Sequence, residues 1–164
     1  MKVVQTKKLK KTYHFGDTEV TALREVCLDI EEEEFIAVWG PSGSGKSTLC
    51  NLVGLLDTPT SGEVLIRETS AKDLNDAQRS DLRNSSIGFV FQNFNLIPVL
   101  TALENVMLPL QVTGVPVVEA RERAQKLLQD VDLGDRMGHR PVKMSGGQQQ
   151  RVAIARALVT NPLL

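Results

Sequence analysis

Two short segments carry residue types that could do chemistry on an anion. The first is Gly40, Pro41, Ser42, Gly43, Ser44, Gly45, Lys46, Ser47 and Thr48; the second is Ser145, Gly146, Gly147, Gln148, Gln149, Gln150 and Arg151. In the first, Gly40, Gly45, Lys46 and Ser47 satisfy G-x-x-x-x-G-K-[ST], the pattern of a loop that wraps phosphates. Glycines let successive backbone N–H groups turn inward as an anion nest. A helix starting near Lys46 adds the positive end of its dipole. Lys46 is expected to reach the β- and γ-phosphates of a nucleotide and Ser47 to ligate Mg²⁺. Thr48 adds a hydroxyl for the α-phosphate.

In the second segment, Ser145 and Gln148 stand at the spacing of a capping box that opens a helix. The helix is expected to run through Val152, Ile154, Ala155 and Leu158 and to stop before Pro162. A helix cap without a ligand is one reading. The other is that Gly146 and Gly147 leave backbone N–H groups open to a large anion. One phosphate loop already serves one nucleotide, so this second helix end suits a nucleotide held by another copy.

The elements that must position these segments show in the apolar pattern. Val3–Tyr13 and Val20–Ile30 read as strands joined by a turn at Gly16-Asp17. The acidic run Glu31–Glu34 reads as a solvated turn. Phe35–Trp39 is continuously apolar, as a strand buried on both faces of a parallel sheet would be. Lys46–Leu56 reads as a helix, and Gly62–Ile66 and Ile87–Phe91 as further strands. From Thr101 the period turns helical, with Ala124, Leu127, Leu128 and Val131 on one face. Glu119/Arg123 and Glu122/Lys126 are paired on the other. Asn93–Val142 thus reads as a mostly helical insertion, its edges marked by Pro98, Gly114, Pro116 and Pro141.

The chain has 164 residues, 41% hydrophobic and 24% charged, with a net charge of −1. That is an ordinary globular profile, with no electrostatic case for nucleic acid as a partner. No apolar run approaches the ~20 residues that cross a bilayer, so direct membrane insertion is not expected. Met1–Gln5 has no hydrophobic signal region. Cys27 and Cys50, in apolar surroundings and without metal spacing, read as buried free thiols. His14 and His139 read as solvated.

Together, Gly40–Thr48 and Ser145–Arg151 resemble the nucleotide-binding domain of ABC transporters. Ile87–Pro98, Leu100–Val106 and Ser145–Leu158 are similar to its lipoprotein-release and macrolide-export subfamily, and the resemblance spans essentially the whole chain. It implies an α/β fold: a P-loop NTPase (RecA-like) core with an N-terminal antiparallel β subdomain and a helical insertion, its central sheet incomplete. Residues 1–164 then form a single domain fragment. Residues 1–92 are the nucleotide-binding core with its β subdomain, 93–144 the helical subdomain, and 145–164 the signature helix and the start of the next strand.

The resemblance also implies roles. Ser145, Gly146, Gly147 and Gln148 face the γ-phosphate of ATP on a second, head-to-tail ATP-binding subunit. Gln92 senses Mg²⁺ and the attacking water, which makes Lys46 and Gln92 the catalytic pair and Ser47 and Gln92 the metal ligands. Tyr13 stacks on adenine, as a flat ring can with little base specificity. ATP and Mg²⁺ are the cofactors. The partners are transmembrane permease subunits, and the location is peripheral, on the cytoplasmic face of the inner membrane. The expected function couples ATP binding and hydrolysis to export or lipoprotein release. Alternatives are a non-hydrolysing nucleotide-binding fragment and an ABC ATPase that regulates cell division.

Three departures stand out against the family pattern. No Asp or Glu follows an apolar strand in the manner of a Mg²⁺ ligand and catalytic base, so hydrolysis is expected to be close to nil. Without the strand that carries them, Phe35–Trp39 is expected to show an open edge and an uncovered apolar flank. Glu33 stands where the family usually has Gly, and Arg67-Glu68 replaces a turn usually rich in Gly or Asn.

Overall fold

Alternation along the first two apolar segments makes a long hairpin. β1 (Lys2–Phe15) and β2 (Thr18–Glu31) pair antiparallel across a turn with Gly16 at φ +59°. Val4 and Thr6 face the core at even positions, yet Leu9 is buried too. The register shifts between Thr6 and Leu9, where Lys8 takes φ +45°; this bulge returns Leu9 to the inner face. β3 (Ser61–Ile66) pairs with β1 on its other side, and β4 (Thr69–Ser70) closes the order β2-β1-β3-β4. Gly62 has to be glycine here, since a Cβ would lie 2.2 Å from the Lys8 carbonyl oxygen. Helix α1 (Lys46–Val53) buries Leu52 and Val53. A further helix, α2 (Asp76–Ser86), follows β4.

The computed structural model describes residues 1–164 and divides into two units, Met1–Arg83 and Asn84–Leu164. The second is helical: α3 (Ala102–Val112), α4 (Val117–Asp130) and α5 (Gly146–Leu158). Their apolar faces meet in one core that includes Val106, Met107, Leu110, Ala124, Leu128, Val152 and Ala155. Alanines at Ala120, Ala124 and Ala155 keep side-chain volume low where the helices face one another. The Glu119–Arg123 pair expected on the outer face of α4 forms. No helix is long and apolar enough to cross a membrane.

Four expectations need correction. Phe35–Trp39 forms no strand: it pairs with nothing in the four-stranded sheet, and Phe35 and Trp39 are 93% and 91% exposed. An apolar run becomes a strand only where another strand takes its N–H and C=O groups. Its flank is uncovered, as expected. Ile87–Phe91 is likewise no strand. Only its start is engaged: the Leu163 and Leu164 N–H groups donate to the Ser86 carbonyl (2.8 and 3.2 Å), and the Gly88 N–H donates to the Leu164 carbonyl (2.8 Å). That exchange is the bond pattern of a parallel pair. Cys27 and Cys50 are exposed rather than buried, each on the outer side of its element. His139 is half-buried, its backbone bonded to Arg136 and Ala102.

The two atypical turns take left-handed backbone although neither holds a glycine. Glu33 takes φ +64°, and Arg67 and Glu68 take φ +43° and +68° in the tight turn between β3 and β4. Left-handed backbone costs a side-chain-bearing residue of order 1 kcal/mol, which glycine avoids.

Candidate functional site

The phosphate-binding pattern folds as an open loop ahead of α1. Gly40, Gly43 and Gly45 all have positive φ, at +152°, +81° and +90°. Gly45 is packed against backbone: a Cβ there would lie 2.5 Å from the Ala22 carbonyl oxygen of β2, whereas at Gly40 it would meet only the Ser44 side chain, at 2.9 Å. So β2 fixes the loop's end, and the left-handed Gly45 turns the chain into the helix. Pro41, Ser42, Gly43, Ser44 and Ser47 are exposed, and Thr48 is half-buried.

Lys46 reaches back along its own loop. Its Nζ donates to the carbonyls of Gly40 (2.9 Å) and Pro41 (2.8 Å). An ammonium has three donors, so one is left for a ligand while the other two brace the loop. The N-cap of α1 makes no side-chain hydrogen bond, so its first-turn N–H groups stay available. A lysine, an uncapped helix start and an exposed hydroxyl at Ser47 fit a Mg²⁺-bound triphosphate, because Mg²⁺ takes oxygen ligands and keeps few from protein.

Tyr13 is half-buried near the end of β1. Its hydroxyl donates to Asp57 Oδ2 (3.1 Å), the Lys11 ammonium lies 4.9 Å from its ring centroid, and the Phe15 ring is 6.4 Å away. Asp57 is in turn tied to α1, its N–H donating to the Asn51 carbonyl at 3.3 Å. The ring expected to meet a base and the helix expected to meet phosphates are therefore joined within Met1–Arg83. Asp57 stays ionised: partial burial opposes its charge, but the Lys11 ammonium, the Thr58 N–H and the Tyr13 hydroxyl outweigh that and hold its pKa below the usual value.

Ser145–Gln148 and Gln92 lie in Asn84–Leu164. The capping box forms as read: the Gln148 N–H donates to Ser145 Oγ (3.3 Å), and the Ser145 N–H donates to Gln148 Oε1 (2.9 Å). A Cβ at Gly146 or Gly147 would meet nothing within 4 Å, so neither glycine is demanded by packing. Bare, exposed N–H groups at a helix start are what remains for them to provide.

Gln92 sits exposed in a turn, and the backbone just beyond it is strained: Phe94 and Asn95 have φ +59° and +45°. Arg156, near the end of α5, donates Nη2 to the Phe94 carbonyl and Nη1 to the Asn95 carbonyl, both at 2.7 Å. Burial lowers the Arg156 pKa, but a guanidinium stays charged and its fork suits two adjacent carbonyls. Farther along, the fully buried Asn105 accepts from the Ile97 N–H (2.8 Å) and donates to Ile97, Leu100 and Thr101 carbonyls. The segment after Gln92 is thus held at two points.

Asp57, Lys11, Arg156 and Asn105 have no local signal in the sequence. Asp57 meets Tyr13 from 44 positions away, and Arg156 meets Asn95 from 61. Only α2 left one unread, a reciprocal Asn75/Gln78 box at its start.

A family model described as ABC transporter matches residues 23–164. The chain is 51% identical to an uncharacterised ABC transporter ATP-binding protein of Thermotoga maritima, over 99% of this chain and 69% of the relative. It is 48% identical to the lipoprotein-releasing system ATP-binding protein LolD of Legionella pneumophila, over 98% of this chain and 70% of that one. It is also 48% identical to the macrolide export ATP-binding/permease protein MacB of Syntrophobacter fumaroxidans, over 100% of this chain but 23% of the relative. The fold matches the dimeric ABC transporter cassette MJ0796 with a TM-score of 0.90 and 50% identity, covering 97% of this chain and 70% of that one. The same cassette has also been solved bound to ADP and Pi.

Proposed function

The chain belongs to the ABC transporter family, and on that premise we propose that it is the ATP-binding part of a transporter that releases lipoproteins or exports small molecules. One observation carries the reading: Gly40–Thr48 folds as a loop of left-handed glycines on an uncapped helix, with Lys46 turned back across it. In this reading Gly40–Thr48 wraps the triphosphate and Lys46 neutralises its outer charge. Ser47 and Gln92 are the residues that would hold Mg²⁺, which would supply positive charge against that of the phosphates. Tyr13 stacks on the adenine. Ser145, Gly146, Gly147 and Gln148 meet the γ-phosphate held by a second copy, and a permease receives the resulting change. Support for the second copy is the dimeric state of the cassette MJ0796; support for the permease is the fusion that the name of MacB describes.

A fluorescent ATP analogue titrated onto the chain is expected to bind saturably with Mg²⁺ and to be displaced by ATP. Size-exclusion with ATP is expected to shift the chain towards a dimer. Phosphate release from residues 1–164 is expected to be near background, since no Asp or Glu among them follows an apolar strand in the manner of a Mg²⁺ ligand and catalytic base. Wild-type chain that binds no nucleotide would overturn the reading.

A further inference from the structure

Tyr13 does not stand free on the hairpin. A flat side chain that stacks on a base must present one face at a fixed height and tilt, and a tyrosine has two torsions with which to lose that pose. Asp57 removes this freedom. Its Oδ1 accepts from Lys11 Nζ (2.7 Å) and from the Thr58 N–H (2.7 Å), and its Oδ2 accepts from the Tyr13 hydroxyl (3.1 Å). Lys11 Nζ donates also to the Thr58 carbonyl (2.7 Å), and lies 4.9 Å from the Tyr13 ring centroid. One carboxylate therefore holds both the far end of the ring and the cation that covers one of its faces.

The backbone of Asp57 belongs to the other half of the site. Asn51, inside α1, accepts from the N–H groups of Leu56 (2.8 Å) and Asp57 (3.3 Å) through its carbonyl. That helix starts with Lys46, Ser47 and Thr48. So Asp57 hangs from the helix that faces phosphates and grips the ring that faces the base.

We propose that Asp57 is a positioning residue for nucleotide binding: it orients the Tyr13 ring for stacking on an aromatic base and keeps that ring in register with the phosphate loop. The proposal rests on the nucleotide-site reading above. Lys11 serves it by covering one ring face, which leaves the other face to the base. The Asp57 oxygens are taken up by Lys11, Thr58 and Tyr13 rather than by the phosphate loop, so their loss is selective for ligands that carry a base.

The test compares ATP with inorganic tripolyphosphate by isothermal titration, on the wild-type chain and on Asp57→Asn. In the amide, the Nδ2 that replaces Oδ2 cannot accept from the Tyr13 hydroxyl, and the charge that holds Lys11 is gone, so both native contacts are weakened. Stacking on one aromatic ring accounts for roughly a tenfold range in affinity, so Asp57→Asn is expected to weaken ATP by about tenfold. Tripolyphosphate affinity is expected to stay within about twofold, since no phosphate contact is touched. Tyr13→Phe, which keeps the ring and removes only its tether, is expected to reproduce the selective loss, and the double variant to lose no more than either single one. Tyr13 is the only tyrosine in the chain, so ring-labelled tyrosine gives one NMR ring signature. Its shift on adding ATP is expected to shrink in Tyr13-tether variants that leave the ring in place, namely Asp57→Asn.

Unchanged ATP affinity in Asp57→Asn overturns the proposal, as does an equal loss for both ligands, which marks general destabilisation. Should Asp57→Asn fail to fold, Tyr13→Phe decides alone by the same selectivity. A wild-type chain that binds tripolyphosphate and ATP equally refutes the stacking role while sparing the phosphate loop; one that binds neither removes the nucleotide reading itself.

Discussion

At the start of α1 no side chain caps the helix, and the residue before it is Gly45 at φ +90°. At the start of α5, Ser145 and Gln148 satisfy each other. Both turns face outward and both are rich in glycine, yet their glycines answer to different demands. Gly45 is required by the protein, because a Cβ would strike the Ala22 carbonyl. Gly146 and Gly147 are not, because a Cβ there meets open space. The first turn leaves its helix N–H groups without a side-chain partner. The second is complete as a helix cap and has only surplus N–H groups to offer, which suits a surface that meets its anion only when a second molecule brings it.

Lys46→Ala should separate the two turns most widely. Losing a charge-assisted contact to phosphate is expected to weaken ATP by about 100-fold, while the far-ultraviolet circular dichroism of α5 stays unchanged; ATP affinity within a few fold of wild type would break the contrast. Next in size, Gly45→Ala is expected to destabilise the chain by about 2 kcal/mol through strain and backbone collision. Gly147→Ala is expected to leave urea stability unchanged or to raise it by about 0.5 kcal/mol, alanine being the better helix former. If the two lose equal stability, the glycines are not different in kind. Ser145→Ala removes a cap and should lower stability by about 1 kcal/mol, with nucleotide binding to the monomer unaffected.

The smallest effect uses α3 as a control. Its box is ionised: Glu104 accepts from the Thr101 N–H (2.7 Å) and hydroxyl (2.8 Å). The backbone bond first, and the hydroxyl bond second, hold the Glu104 pKa below its usual value. A carboxyl lowered in the folded state contributes stability that is present above about pH 4.3, the unfolded value, and is lost as pH falls through the folded one. The neutral Ser145/Gln148 box has no such dependence. Acid titration of a Glu104→Gln variant is therefore expected to show a shallower stability loss below about pH 4.3 than wild type; identical slopes would refute it.

What could be read along the chain was what is written locally. The phosphate loop, the reciprocal caps, the hairpin at Gly16 and the helical stripe of α4 each depend on residues a few positions apart. Phe35–Trp39 misled because apolar composition reports a need for burial, whereas a strand also needs a neighbour to bond with, and none of β1 to β4 takes that place. Cys27 and Cys50 misled for a related reason: apolar neighbours in sequence say little about which side of an element a residue occupies. Asp57 could not be read at all, since its partners on β1 are set by how α1 returns to the sheet. The turns at Glu33 and Arg67-Glu68 show the reverse case. There the sequence departs from the glycine preference while the backbone keeps its left-handed path.

Arg156 gives α5 a second end. Thirteen residues of helix make a stiff rod of about 20 Å, with the glycine turn at its head and a two-pronged latch near its tail. The latched carbonyls belong to Phe94 and Asn95, whose backbones would relax if released. The two bonds tie the tail of that helix to the turn just beyond Gln92. Without Arg156, the left-handed pair Phe94-Asn95 would lose the anchor that α5 gives it.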